Sequence, residues 1–286
     1  MMRSMFAAIS GLKAHQVMLD VTAADIANVN TLGYKSSRMT FRDSLAQLQR
    51  GGAAAGVGQG GTNAAQVGLG AQVGSIDNLM SGGALQTTGN PLDVAISGEG
   101  WFRVGPANGG TPAAPGLPTT ISYTRAGNFT TNDNGFLVTS DGAYVMGRNV
   151  VLPAGTPGPT DQLIQIPSGS SNISVGQDGS VTYQPSGGGA RVNAGFISLA
   201  TFANQGALER RGSNTWGAGP NSGPEQVGTP GANGYGVTAS GAIEMSNVDL
   251  ASEFTNMITA QRGFQANSRV ISTADQMLQD LVNLIR

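Results

Sequence analysis

The chain contains one histidine, His15, and no cysteine, so the residue types behind most nucleophilic and metal chemistry are nearly missing. A histidine base needs a substrate group beside it, and a metal site needs several converging ligands. His15 stands alone inside an apolar periodic run, which gives it a structural or surface role. Asp93 and Glu99 flank a strand-like run and invite a paired-carboxylate reading, but hydrolysis by two carboxylates requires a set separation that spacing alone does not supply. Asp133 and Asp141 fall in "NDNG" and "SDG", where local turn hydrogen bonding accounts for them. The glycine-rich "GVGQGG" lacks the lysine and Ser/Thr of a phosphate loop. Tyr34, Lys35, Arg38 and Arg42 make only a small basic patch. No catalytic, cofactor-binding or metal-binding residue is assigned, and no cofactor is expected.

Composition agrees. Fifteen basic residues against seventeen acidic ones give a formal net charge of -2, too little positive field for a nucleic-acid partner. Charged residues make up 11% of the chain, and 44 glycines accompany 13 prolines, which favours turns and close backbone approaches. After Arg3, the apolar run is interrupted by Ser10, Lys13, His15 and Gln16, unlike a secretory signal. No run of about 18 apolar residues points to stable membrane insertion.

The elements that must carry function are therefore the two ends. Met5, Leu12, Leu19 and Ile26 recur every seven residues, and so do Leu250, Met257, Phe264, Ile271, Leu278 and Ile285. On helices these are apolar stripes suited to a partner helix, although a helix packed on a sheet has the same period. Phe254 broadens the second stripe, while Gln261 and Asn267 stand at its edge. Asn247 or Asp249 can cap the second helix. Asn28, Asn30 and Gly33 end the first by side-chain bonding and backbone freedom, and Tyr34 and Lys35 follow.

Between the ends, residues 50–70 read as a glycine-rich linker or extended loop. Beyond it, "DVAISGEGWFRV", "NISVGQDGSVTYQ" and "NAGFISLATFA" read as short strands joined by turns, with "QDG" marking a hairpin. "NTWGAGPNSGPEQVGTPGANGYGV" reads as poor in regular structure. The expected class is α+β, with terminal helices forming an inner assembly domain joined to a central, mainly antiparallel β domain. The boundaries are 1–49 for the first helix and junction, 50–70 for the linker, 71–245 for the β domain and 246–286 for the second helix.

Three ordered stretches carry a resemblance. "ANVNTLGYKSSRMTF" resembles the turn after the amino-terminal helix of bacterial flagellar rod and hook proteins. Gln86, Thr88, Gly89, Asn90, Leu92, Asp93, Ala95 and Ile96 match the family's Q-x-T-G-N-x-L-D-x-A-I pattern, and residues 246–284 resemble its carboxy-terminal assembly helix. "GGTNAAQVGLGAQVGSI" and "RGFQANSRVIST" look more like the hook protein, which makes a hook subunit the first expectation. The chain length is nearer the distal rod, the alternative. The resemblance implies a non-catalytic subunit that polymerises into a hollow axial tube and transmits torque. It implies contacts with other axial and junction proteins, the type III export machinery and a hook or rod capping protein. It places the chain in the extracellular hook, or alternatively in the basal-body distal rod, exported without a cleaved signal. In that frame the terminal stripes are assembly contacts, and Asn28 to Lys35 form a junction whose geometry affects polymer form more than monomer folding.

Overall fold

The computed structural model describes residues 2–54, 56, 60–151, 156–232 and 234–284. They divide into a helical unit, Met1–Ala27 with Ser37–Asp77 and Asp249–Arg286, and a β unit, Asn28–Ser36 with Asn78–Val248. The class is α+β: the terminal helices pack together, and the centre is a large antiparallel sheet system.

In the helical unit, α1 (Met2–Ala27) and α2 (Leu250–Leu284) run antiparallel. Their register follows from close approaches. A Cβ added to Gly11 would lie 2.8 Å from Asn267 Nδ2, and one on Gly263 would lie 2.5 Å from the His15 ring. Burial raises the Glu253 pKa, a hydrogen bond from Asn256 opposes the rise, and the nearby Asp25 carboxylate adds a smaller push upward, which places Asp25 and Glu253 close together. The same register sets Ala8 opposite Val270, Met18 opposite Ala260 and Thr22 opposite Asn256. On both helices these positions recur every three or four residues, the spacing of a coiled-coil seam. The seam is built from small and polar side chains: Ala8, Thr22, Asp25, Ala260 and Ala274 are buried in it. Asp249 caps α2, its Oδ1 accepting from the Ala251 N–H at 3.0 Å.

A two-stranded ribbon completes this unit. β1 (Ser37–Asp43) pairs with β4 (Ala71–Asn78), and β2 (Ala46–Arg50) pairs antiparallel with β3 (Ala65–Gly68). Part of the segment read as linker is thus paired strand; its residues 55 and 57–59 lie outside the described residues. The ribbon is held against α1. The Ser37 N–H donates to both Asp25 carboxylate oxygens, at 3.0 and 3.2 Å, and Phe41 packs 5.2 Å from His15. Gly70, at φ +129°, passes so close to α1 that a side chain there would collide with Ser10 Oγ.

The β unit is organised around a 13-stranded sheet whose central path runs through Val192–Ile197, Tyr144–Val151, Trp101–Gly105, Ser122–Thr124 and Thr215–Gly217. Trp101–Gly105 is buried along its whole length. Alternate side chains of a strand point to opposite faces. Phe102 and Val104 accordingly join one cluster with Val94, Phe129, Val145 and Ile197, while Trp101 joins another with Tyr123, Phe202 and Trp216. The "QDG" hairpin forms as expected between Ser171–Val175 and Ser180–Gln184, with Gly179 at φ +77°. The Gly/Pro-rich return is less irregular than its composition implies. It contributes strands Thr215–Gly217 and Gln226–Gly228 and runs at its end into Val237–Ser240; its residue 233 lies outside the described residues.

Candidate assembly site and junction

The predicted stripes lie one position off the α1–α2 seam. Met5, Leu12, Leu19 and Ile26 on α1, and Met257, Phe264, Ile271 and Leu278 on α2, are half-buried shoulders flanking it. Leu250 is exposed, and Ile285 lies outside the described residues. Phe254 and Gln261 are exposed, whereas Asn267 faces Gly11. The helix pair thus uses its small residues internally and keeps large apolar surface on its flanks.

The junction residues belong to the β unit. The first turn is local: Thr31 Oγ1 donates to Asn28 Oδ1 at 3.0 Å, and Asn30 is exposed. Gly33 then adopts φ +64°, and its N–H donates to the Glu244 carbonyl at 2.8 Å. A Cβ there would come within 2.7 Å of backbone atoms of Arg125 and Ala126, so glycine is required by both angle and space. Tyr34 is buried, its hydroxyl accepting from Arg210 Nη1 at 2.9 Å, and the Arg210 guanidinium lies over both the Tyr34 and Trp216 rings.

Lys35 is fully buried. Its Nζ donates to Glu244 Oε1 at 2.6 Å and to the Ser81 carbonyl at 2.9 Å. Glu244 also accepts from the Gly83 N–H at 2.9 Å and, through Oε2, from Arg125 Nη1 at 3.2 Å. One buried carboxylate therefore serves two buried cations. Burial pushes the Lys35 ammonium pKa below its ordinary value, with Glu244 opposing the shift; Arg125 is lowered for the same reason. Asn247, read as a possible helix cap, instead accepts from the Ser36 N–H at 2.7 Å and donates to the Leu79 and Ser81 carbonyls. Four distant passages of chain, around residues 35, 81, 125 and 245, are laced together here. Lys35 was visible as a basic residue, but nothing in its neighbourhood pointed to Glu244 or Arg125.

Beside the junction, a cleft of about 580 Å³ is lined by Thr31, Tyr34, Asp141, Arg210, Asn214 and Trp216, among others. Apart from Asp141 and Arg210, its polar groups are amides and hydroxyls, which supply hydrogen bonds rather than acid–base chemistry. Asp93 is tied into its own turn by Thr88 Oγ1 at 2.6 Å and Asn90 Nδ2 at 3.2 Å. Among the described residues no group of three or more His, Asp or Glu side chains is placed to hold a metal ion, and no helix is long and apolar enough to cross a membrane.

Three family profiles match in order along the chain. Residues 5–35 match the flagella basal body rod protein family, residues 95–183 the D1 domain of flagellar hook protein FlgE/F/G, and residues 239–284 the carboxy-terminal region of flagellar basal body rod FlgEFG proteins. The chain is 45% identical over 287 residues to the flagellar basal-body rod protein FlgG of Bacillus subtilis, covering 100% of both chains. It is 38% identical to the FlgG of Caulobacter vibrioides, covering 97% of both. It is also 28% identical to the flagellar hook protein FlgE of Borreliella burgdorferi over 440 aligned residues, covering 99% of this chain and all of that one. Proteins of this kind are structural components of the flagellum and carry out no catalysis. With helical ends and an antiparallel β body arranged as the motifs imply, this chain belongs to the family of flagellar rod and hook axial proteins.

Proposed function

We propose that the chain is a subunit of the flagellar rod in the basal body, the alternative of the sequence reading rather than its first choice of hook. The observation that carries this is the end-to-end match, at 45% identity and full coverage, to a basal-body rod protein. The hook relative aligns at lower identity and only over a longer stretch. The subunit polymerises through the apolar shoulders of α1 and α2 into a hollow shaft that transmits torque. It meets neighbouring axial proteins at its ends and reaches the site of assembly through the export machinery, where a capping protein guides it. Neither cofactor nor reaction is involved.

A particle map of purified hook–basal bodies tests this. The β unit, recognisable by its paired Trp101 and Trp216 side chains, is expected in the straight shaft inside the basal body. Finding it only in the curved segment outside would make the chain a hook subunit.

A further inference from the structure

The dipeptide Asn–Gly occurs three times in the chain, at Asn108, Asn134 and Asn233, the last outside the described residues. The pair has its own chemistry. Glycine has no side chain to shield its backbone nitrogen, so that nitrogen can reach the side-chain carbonyl carbon of the asparagine before it. How often it does so depends on how firmly the shared peptide and the amide are held.

At Asn134 both are held. The Gly135 N–H donates to the Asn132 carbonyl at 2.9 Å, and the Asn134 carbonyl accepts from Gln165 Nε2 at 3.0 Å, so the reacting peptide is anchored on both sides. The side chain is fixed as well, with Asn134 Nδ2 donating to the Pro112 carbonyl at 2.8 Å.

Asn108 is the opposite case. It is exposed together with Gly109, at the base of a small hairpin in which Gly110–Thr111 pairs with Ala114–Pro115. Its side chain, its carbonyl and the Gly109 N–H make no hydrogen bond to any described residue. The nearest ties lie on either side of the reacting peptide: the Asn108 N–H meets the Gly116 carbonyl at 3.4 Å, and the Gly116 N–H donates to the Gly109 carbonyl at 3.1 Å. A Cβ on Gly109 would meet nothing within 4 Å, so a ring formed here has room.

We propose that Asn108 is a modification site at which the chain deamidates spontaneously. The Gly109 nitrogen gives its proton to solvent and bonds to the Asn108 side-chain carbonyl carbon. The bond from that carbon to the side-chain nitrogen breaks, and the nitrogen leaves as ammonia after taking a proton from solvent. Water then opens the five-membered imide at one of its two carbonyls, leaving either aspartate or isoaspartate. Each event adds one negative charge. Isoaspartate also lengthens the main chain by one methylene between the two ties to Gly116, which is expected to loosen the pairing of Gly110–Thr111 with Ala114–Pro115.

Trypsin separates the two sites, because cleavage after Arg103, Arg125 and Arg148 puts Asn108 and Asn134 on different peptides, and Asn108 is the only amide side chain on its own. The folded full-length chain is held at mildly alkaline pH and sampled over days by peptide mass spectrometry with fragmentation. Hydrogen bonds must break before Asn134 reacts, so Asn108 is expected to convert to the acid more than about tenfold faster. In guanidinium chloride the two sites are expected to convert at similar rates, and Asn108→Gln is expected to abolish the change on its peptide while leaving Asn134 unaltered. An Asn108 that keeps its amide in the folded chain, or converts no faster than Asn134, overturns the proposal. A rate ratio that survives unfolding overturns the role given to the hydrogen bonds.

Discussion

Glu244 neutralises two buried cations at once, and that asymmetry predicts an order of mutational effects. Glu244→Gln leaves Lys35 and Arg125 facing a neutral amide and is expected to destabilise the β unit by about 3–5 kcal/mol. Lys35→Met leaves Arg125 and Glu244 as a matched pair and is expected to cost only about 1–3 kcal/mol. Urea unfolding of both variants checks the ranking, and a reversed order removes Glu244 as the centre of the cluster. The lowered Lys35 pKa has its own signature. Above that lowered value the folded chain has released the proton, while the unfolded chain holds it up to about 10.5. Unfolding then takes up a proton, so the contribution of Lys35 to stability rises with pH across that window. Tyr123, raised by burial and by its bond to Glu225, acts with the opposite sign above its ordinary value of 10.0. Measured below that point, the stability of the Lys35→Met chain is expected to rise less steeply with pH than that of the wild type; equal slopes would contradict the assignment. Gly33→Val adds a left-handed penalty of about 1–2 kcal/mol to a collision with the backbone at Arg125 and Ala126. Hydrogen exchange is expected to show lost protection in Val94–Ser97 and Trp101–Gly105, so that polymer form suffers through the fold of the β unit.

Helix pairing rests on Gly263 and Gly11 more than on the large apolar residues. Replacing Gly263 with Ala improves helix propensity by about 1 kcal/mol, but the new methyl meets the His15 ring. The expected net result is weaker pairing, and His15→Ala in the same chain is expected to restore it; thermal melts of the two single variants and the double variant measure the coupling. Phe264 sits half-buried on the shoulder, so Phe264→Ala is expected to cost the monomer well under the roughly 3–5 kcal/mol of a full core deletion and to act mainly on assembly, which sedimentation separates. These contrasts show what was legible. Met5, Leu12, Phe264 and Ile271 announce helices because hydropathy flags large side chains. Ala8, Gly11, Thr22 and Asp25 share the same spacing, but small and polar residues raise no hydropathy signal, so the seam itself was missed. The strands around Gly98, Gly100 and Gly179 were readable because turns leave a local mark. The partnership of Lys35 with Glu244 leaves none.

The molecule divides its tasks between two units interleaved in sequence. The β unit buries its charges and aromatics inward, in Glu244 with Lys35 and in the Trp101 and Trp216 pair, whose rings lie 5.7 Å apart. The helical unit keeps apolar surface outward. A chain lacking residues 1–27 and 249–286 is expected to retain the β unit, with its buried junction, while losing incorporation into axial structures. Circular dichroism with sedimentation tests both halves of that statement, and full incorporation of the shortened chain would contradict the role given to the helices.

The bond between Lys35 and Glu244 spans 209 residues of sequence, and that between Ser36 and Asn247 spans 211. Such contacts must close a very long loop, which slows folding relative to a chain of local contacts. A ribosome that has released only the first two hundred residues has made the Ser81 carbonyl that Lys35 meets but not Glu244, its charged partner. The start of the β unit therefore stays open until nearly the whole chain exists. Proteolysis of stalled nascent chains is expected to cut near Tyr34 until residue 247 has emerged, and to spare it afterwards.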